Sequence, residues 1–195
     1  MNNSVRIIGG TWRSRRVTFA QGADIRPTPD RVRETLFNWL RNEVSGARCL
    51  DLFAGSGVLG LEALSRGARN ATFVEKTAAA AQMIRDCLQK FGASGSVIET
   101  DAARWLAAPP HLPERLRADQ FDLVFLDPPF GQNWLPRILA SLHAGDWVAP
   151  GGWVYLECER ISGAPALPMG WEMLKSKSAG EVGYHLARLN GQAKQ

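Results

Sequence analysis

The spacing of apolar residues changes near residue 47, and the change predicts two regions. Before it, the alternating stretches "VRIIGG" and "RRVTFA" flank a pair of glycines, which is typical of a small β-hairpin. "RPTPD" predicts a loop in which Thr28 caps a helix and Pro29 occupies its first turn. The helix then ends at Gly46. Its apolar face is formed by Val32, Leu36, Trp39 or Leu40, and Val44.

From Ala47 onwards, apolar strands alternate with amphipathic helices. The predicted strands are "ARCLDLF", "ATFVE", "GSVIETD", "FDLVFLD" and "GWVYLECE". The predicted helices are "VLGLEALSR", which ends at Gly67, a helix between Thr77 and Gly92, and a helix over residues 135–142. Alternating βα units predict an α/β fold with a mostly parallel sheet. The tail, "WEMLKSKSAGEVGYHLARL", predicts an antiparallel hairpin at one sheet edge, and residues 109–120 predict a surface loop.

Composition indicates a globular chain without a membrane span. It has 195 residues, of which 45% are hydrophobic and 22% charged, as expected for one domain with a full core. No apolar run approaches the ~20 residues of a membrane span, and the N-terminus lacks the apolar core of a secretory signal. The cysteines, Cys49, Cys87 and Cys158, are widely spaced in apolar stretches. We expect reduced core thiols in a cytoplasmic protein, and no metal site.

Basic charge is concentrated near the N-terminus. Residues 1–33 contain seven arginines and two acids, whereas the rest of the chain carries 16 basic and 17 acidic side chains. A basic arm on a near-neutral body favours a polyanionic partner such as nucleic acid. Charge alone leaves a solvated basic surface without a ligand equally open.

A glycine-rich segment, "DLFAGSGVLG", follows the first strand of the alternating region. Gly55, Gly57 and Gly60 match the pattern GxGxxG, and Glu75 ends the next strand 20 residues after Gly55. This spacing indicates a cofactor that contains adenosine, because the glycines admit the ligand and the acid accepts from a ribose hydroxyl. Asp51 favours S-adenosylmethionine over NAD, since an acid binds an ammonium group and repels a pyrophosphate.

The strand "FDLVFLD" ends in the segment DPPF, which predicts a site for an amine. Asp127 offers a carboxylate and Pro128 a carbonyl in a rigid backbone, so together they can accept both N–H groups of a nucleobase amine. Phe130 can stack on an extruded base. In a doubly wound sheet, this loop and the glycine loop are expected to open onto the same crevice. The alternative is a tight turn in which Asp127 caps a helix and Phe130 joins the core.

Together these motifs resemble the class I S-adenosylmethionine-dependent methyltransferases that carry an [N/D]PP[F/Y] motif. More narrowly, the chain resembles the bacterial 16S (small-subunit) ribosomal RNA guanine-N2 methyltransferases. The resemblance extends over nearly the whole chain through "RIIGGTWRSRRV", "RPTPDRVRETLFNWL", "DLFAGSGVLGLEALSRGA", "FVEK", "DPPF" and "AGEVGYHLARL". It implies a Rossmann-like fold with a seven-stranded sheet. Residues 46–195 would form the methyltransferase domain and residues 1–45 an RNA-binding extension.

The resemblance also implies functional residues. The cofactor S-adenosylmethionine would contact Asp51, Phe53, Ala54, Gly55, Gly57, Glu75, Asp101 and Ala102. Catalysis would depend on Asp127, Pro128 and Phe130. RNA would contact Arg6, Arg13, Arg15, Arg16, Arg26 and Arg31. The implied partner is small-subunit ribosomal RNA, naked or in an assembled 30S particle.

Three other functions remain open at this point. The same chemistry could act on adenine or cytosine in DNA, or on a glutamine amide in a protein. A DNA enzyme usually needs a sizeable target-recognition region, for which this chain has little room. A nucleotide-dependent oxidoreductase would leave DPPF without a role, and a non-catalytic RNA-binding module would leave both motifs without one.

Overall fold

The protein is described by a computed structural model over residues 4–19, 27–107 and 120–191. It divides into two compact units, Met1–Ala102 and Ala103–Gln195. The predicted boundary between residues 45 and 46 stays a prediction. No helix of the described residues is both long and apolar enough to cross a bilayer.

The first unit begins with the predicted hairpin and continues as strand–helix repeats. Strands β1 (Ser4–Arg6) and β2 (Arg16–Thr18) pair antiparallel, with Val5 opposite Val17. The elements that follow are α1 (Asp30–Trp39), β3 (Arg48–Asp51), α2 (Val58–Ser65), β4 (Asn70–Glu75), α3 (Ala78–Phe91) and β5 (Gly95–Glu99). Helix α4 (Ala102–Ala107) begins at the last residue of this unit. Helix α3 ends as predicted at Gly92, which adopts the left-handed conformation with φ of 61°.

Both ends of α1 differ from the prediction. The helix ends at Trp39, with Leu40 at its C-cap, and not at Gly46. Pro29, not Thr28, holds the N-cap position, and no side chain caps the helix there. Thr28 is instead buried, and its carbonyl oxygen accepts a hydrogen bond of 3.0 Å from Nε of Arg33. A buried arginine from the first turn therefore fixes this loop, which the capping preference of threonine did not indicate.

The second unit contains the remaining strands. Its elements are β6 (Phe121–Leu126), α5 (Trp134–Ala144), β7 (Val148–Glu159), a 3-10 turn (Arg160–Ser162), β8 (Trp171–Ala179) and β9 (Val182–Leu189). Strand β6 pairs parallel with β7, and β9 pairs antiparallel with both β7 and β8. Most of the loop predicted over residues 109–120 lies outside the described residues, and α4 was not predicted.

The seven strands β3–β9 form one sheet in the order β5-β4-β3-β6-β7-β9-β8. The β3–β4, β4–β5 and β6–β7 pairs are parallel, and the last two pairs form the antiparallel edge. The predicted α/β class, with a mostly parallel seven-stranded sheet and an antiparallel edge hairpin, is confirmed.

A buried charge cluster holds the N-terminal hairpin against α1 and α2. The carboxylate of Glu62 accepts hydrogen bonds from the backbone of Ile8 at 2.9 Å, from Arg33 at 3.2 Å and from Arg66 at 2.8 Å. The side chains of Glu62 and Arg33 are fully buried. Ser65 adds bonds to the hairpin loop, because its hydroxyl donates to the carbonyl of Gly9 at 2.6 Å. The hairpin is therefore an integral part of the first unit.

Two of the three cysteines match the expected core thiols. Cys49 and Cys87 are buried free thiols. Cys158 is only half-buried, and its thiol contacts the carbonyl of Gly163 at 3.3 Å.

Candidate functional site

The glycine loop connects the end of β3 to the start of α2. Gly55 and Gly57 have φ of 52° and 72°, a region of backbone conformation that side chains strongly disfavour. Gly60 serves a different purpose, because a Cβ there would lie 2.3 Å from the ring of Phe73 on β4. The third glycine thus allows α2 to approach the sheet closely, and the first two shape the loop.

Asp51 is a buried acid at the end of β3, with 2% of its surface exposed. Its Oδ2 accepts a hydrogen bond of 3.1 Å from the backbone N–H of Gly60. Burial raises the pKa of Asp51 to about 7, and the charge of Glu75 adds to the increase, whereas the Gly60 hydrogen bond opposes it. The carboxyl group therefore changes its charge near neutral pH.

Glu75 ends β4 and binds the glycine loop directly. Its Oε2 accepts from the backbone N–H of Gly55 at 2.8 Å, and its Oε1 accepts from that of Thr77 at 2.7 Å. Each carboxylate oxygen can accept a second hydrogen bond, so the group retains capacity for a ribose hydroxyl. The structure shows a role that the sequence did not predict: Glu75 fixes the position of the loop.

The other predicted cofactor residues lie on the same unit. Phe53 is half-buried within the glycine loop, and Ala54 is buried, with its N–H bonded to the carbonyl of Val74 at 3.0 Å. Asp101 is half-buried before α4, and Ala102 is buried at the first position of that helix. The carboxyl ends of β4 and β5 are adjacent, since Glu75 is in register with Glu99. Strand pairing thus brings these segments to one edge.

The DPPF segment follows the buried strand β6. Asp127 is half-buried and Pro128 buried, while Pro129 is exposed and Phe130 has 41% of its surface exposed. Asn133, with φ of 49°, holds the N-cap position of α5. Phe130 therefore does not join the core and Asp127 does not cap α5, so the simple-turn alternative does not describe this segment.

The predicted RNA-contacting arginines have different surroundings. Arg13 and Arg31 are exposed, while Arg15 is exposed with its guanidinium 5.4 Å from the ring centroid of Phe91. Arg16 donates to the hydroxyl of Ser4 at 3.0 Å. Arg6 forms an ion pair of 2.7 Å with Asp30 and remains 67% exposed. Arg26 lies outside the described residues.

Comparisons with known proteins identify the family. A family model described as "Conserved hypothetical protein 95" matches residues 5–188. Ribosomal RNA small subunit methyltransferase D of Escherichia coli strain K12 is 39% identical over 192 residues, which is 98% of this chain and 93% of that protein. The chain belongs to the ribosomal RNA small subunit methyltransferase D family.

Two solved structures resemble this member of the methyltransferase D family. A putative methyltransferase from Escherichia coli matches with a TM-score of 0.84 and 38% identity, over 97% of this chain and 100% of that one. A Thermus thermophilus 16S rRNA N2 G1207 methyltransferase, in complex with AdoMet and guanosine, matches with a TM-score of 0.65 and 21% identity. That match covers 96% of this chain and 50% of the other. The second likeness concerns the fold alone.

Sequence reasoning missed two buried acids in this methyltransferase D family member. Glu62 anchors the hairpin, and Glu157 accepts a hydrogen bond from the hydroxyl of Tyr155 at 2.9 Å. The available signal was a charged residue inside an apolar run, "VLGLEALS" for Glu62 and "WVYLECE" for Glu157. An acid in such a run is expected to have a buried partner.

Proposed function

We propose that this protein transfers the methyl group of S-adenosylmethionine to the exocyclic N2 amine of a guanine in small-subunit ribosomal RNA. The observation that carries this proposal is the DPPF segment, in which a half-buried Asp127 precedes a buried Pro128 and an exposed Phe130. Membership of the ribosomal RNA small subunit methyltransferase D family supports both the reaction and the class of substrate.

The residues of the glycine loop fit the proposed cofactor. S-adenosylmethionine supplies an activated methyl group attached to a sulfonium. Asp51 presents a buried carboxyl group to an ammonium, and Glu75 has remaining acceptor capacity for a ribose hydroxyl. The acidic Asp51 disfavours a pyrophosphate, which argues against an oxidoreductase that uses NAD.

The acceptor motif positions the amine for attack. The carboxylate of Asp127 and the carbonyl of Pro128 accept the two N–H groups, so the nitrogen lone pair is directed at the methyl carbon. The proline rings restrict the backbone, so positioning costs little conformational freedom on binding. Phe130 stacks on the face of the extruded base, a contact worth about 1–3 kcal/mol for nucleic-acid bases.

The physiological substrate in this proposal is a ribonucleoprotein particle in the bacterial cytoplasm. A chain of 195 residues has little surface for reading sequence, so the assembled particle would contribute to selection of one guanine. DNA and protein glutamine are the alternative substrates of the same chemistry.

The experiment is a methyl-transfer assay with labelled S-adenosylmethionine. Substrates are naked small-subunit RNA, assembled 30S particles that lack the modification, duplex DNA and a glutamine peptide, followed by mapping of the labelled nucleotide. We expect label on a single guanine N2. Label only on DNA or the peptide would contradict the proposal.

Substitution of the acceptor tests the mechanism in the same assay. Asp127→Ala should lower turnover by at least ~10²-fold, the scale for removal of one preorganised hydrogen-bonding group. Affinity for S-adenosylhomocysteine should remain near that of the wild type. Asp122→Ala, which changes an acid near the start of the same strand, is the matched control. Normal turnover in Asp127→Ala would exclude Asp127 from the mechanism.

A further inference from the structure

A buried polar pair on β7 lies in the second unit, which also carries the DPPF segment. Tyr155 is fully buried and Glu157 is 3% exposed. The phenol of Tyr155 donates a hydrogen bond of 2.9 Å to Oε1 of Glu157. Residues two apart on a strand share one face of the sheet, so both side chains are on the same side. Burial of an acid and a phenol in a core costs free energy, so a role for the pair in addition to packing is expected.

Strand register places this pair beside the acceptor motif. Leu126 on β6 is in register with Leu156 on β7, and the two strands are parallel. Asp127 directly follows the last residue of β6, and Glu157 is the next residue of β7. Burial raises the pKa of Tyr155 well above its usual range, and the charges of Glu157 and Asp127 raise it further. The phenol therefore remains protonated, donates to Glu157 and lies within the electrostatic influence of Asp127.

We propose that Glu157, held by Tyr155, is a positioning residue that adds a second negative charge beside Asp127 and thereby promotes methyl transfer to the amine. This inference rests on the proposed function of the DPPF segment. Glu157 acts through Asp127 and the local field, without contact to the substrate.

The chemistry gives that charge a role. As the reaction proceeds, the amine lone pair forms a bond to the methyl carbon, and the carbon–sulfur bond breaks with its electron pair retained by sulfur. Positive charge thus moves from sulfur to nitrogen, and an N–H proton then passes to the Asp127 carboxylate and on to water. The buried carboxylate of Glu157, two residues before the end of β7, stabilises the charge that arrives on the nitrogen, because Coulomb interactions are strong in a water-poor environment.

The test compares Glu157→Gln with the wild type in single-turnover assays at saturating cofactor and substrate. Glutamine keeps the side-chain shape and an oxygen that can accept from Tyr155, but it removes the charge. We expect the rate to fall by roughly 10- to 100-fold, with KM for RNA and affinity for S-adenosylhomocysteine within about twofold of the wild type. A structural role of the hydrogen bond alone predicts a wild-type rate, which would overturn the inference.

Two further variants keep the test decisive. Glu172→Gln removes an exposed charge from β8 of the same unit and should leave the rate unchanged. If Glu157→Gln does not fold, Tyr155→Phe replaces it, because this variant keeps both acids but releases Glu157 from its fixed position. A reduced rate with unchanged KM then supports the inference, and a wild-type rate overturns it. Absence of activity in the wild type would instead overturn the proposed function.

Discussion

At the scale of single residues, two buried acids at the strand ends differ in the backbone donors that their carboxylates contact. Asp51 is almost completely buried, and among the described residues Gly60 is its backbone donor. Glu75 has two backbone donors, from Gly55 and Thr77. The hydrogen bond from Gly60 does not offset the removal of the Asp51 carboxylate from water, which explains the high pKa of Asp51.

This high pKa makes stability depend on pH. The pKa of Asp51 is about 7 in the folded chain and close to 3.8 when unfolded, so folding favours the protonated form. The contribution of Asp51 to the free energy of unfolding is most favourable below pH 4 and declines as pH rises towards 7. At about 1.4 kcal/mol per pH unit, the decline is roughly 4 kcal/mol at most.

Asp51→Asn should remove this dependence, because asparagine keeps an acceptor for Gly60 without a titrating proton. We expect the variant to have a higher free energy of unfolding than the wild type at pH 8, with the difference shrinking towards pH 5. Urea unfolding at a series of pH values measures both quantities. Asp86→Asn, at an exposed acid on α3, is the control. A difference that stays constant with pH would contradict the assignment.

At the scale of elements, apolar spacing predicted the strands well because burial on both faces leaves continuous apolar runs. Glycines in the sequence indicated where several helices end, because a helix often ends in left-handed backbone, which glycine adopts readily. Gly92 at the end of α3 is an example. The prediction that Thr28 caps α1 was wrong, because contacts of Arg33 with residues distant in sequence determine how the helix starts. Arg33 binds the carbonyl of Thr28 and the carboxylate of Glu62, and no local pattern records that interaction.

The same limit applies to the candidate site. Spacing identified the glycine loop and the DPPF segment, because each is continuous in sequence and its backbone chemistry is local. The bond from Glu75 to Gly55 and the Tyr155–Glu157 pair depend on strand pairing and burial, which the sequence does not specify residue by residue. Both therefore emerge only in the three-dimensional structure.

The buried charge cluster predicts how the hairpin contributes to stability. Glu62→Gln removes the buried acid that pairs with the fully buried Arg33 and leaves Asp30, which is partly exposed, on the guanidinium. Removal of one member of a buried pair costs roughly 3–5 kcal/mol. We expect a decrease of this size in the free energy of unfolding, measured in urea. Glu34→Gln, at an exposed acid on α1, should change it by less than about 0.5 kcal/mol.

A double variant separates charge from packing in this cluster. Arg33→Met combined with Glu62→Leu removes both buried charges and keeps much of the volume, so it should recover most of the stability that Glu62→Gln forfeits. A double variant no more stable than Glu62→Gln would mean that the hydrogen bonds to the hairpin backbone matter more than the charges.

At the scale of the whole molecule, the excess of positive charge near the N-terminus is smaller than the count of arginines indicates. Arg33 is buried and paired with acids, so it adds nothing to a basic surface. Arg6 is paired with Asp30. The remaining exposed arginines of the hairpin are Arg13, Arg15 and Arg16. They form the strongest candidate among the described residues for binding RNA, and this role remains a prediction.

Reversal of these three arginines to glutamate tests whether the hairpin binds phosphates. Phosphate binding is independent of sequence and releases counterions, so removing one arginine–phosphate pair reduces the slope of log affinity against log salt by about 0.7 to 0.9. We expect weaker binding to a small-subunit RNA fragment and a slope lower by roughly 2, measured by anisotropy at several salt concentrations. Affinity for S-adenosylhomocysteine should persist, because the glycine loop and Glu75 are unchanged.

The control reverses Arg41, Arg69 and Lys175, which are exposed outside the hairpin and carry the same total charge. Equal reductions in both triple variants would mean that only net charge matters, and a wild-type slope in the hairpin variant would place the RNA-binding surface elsewhere.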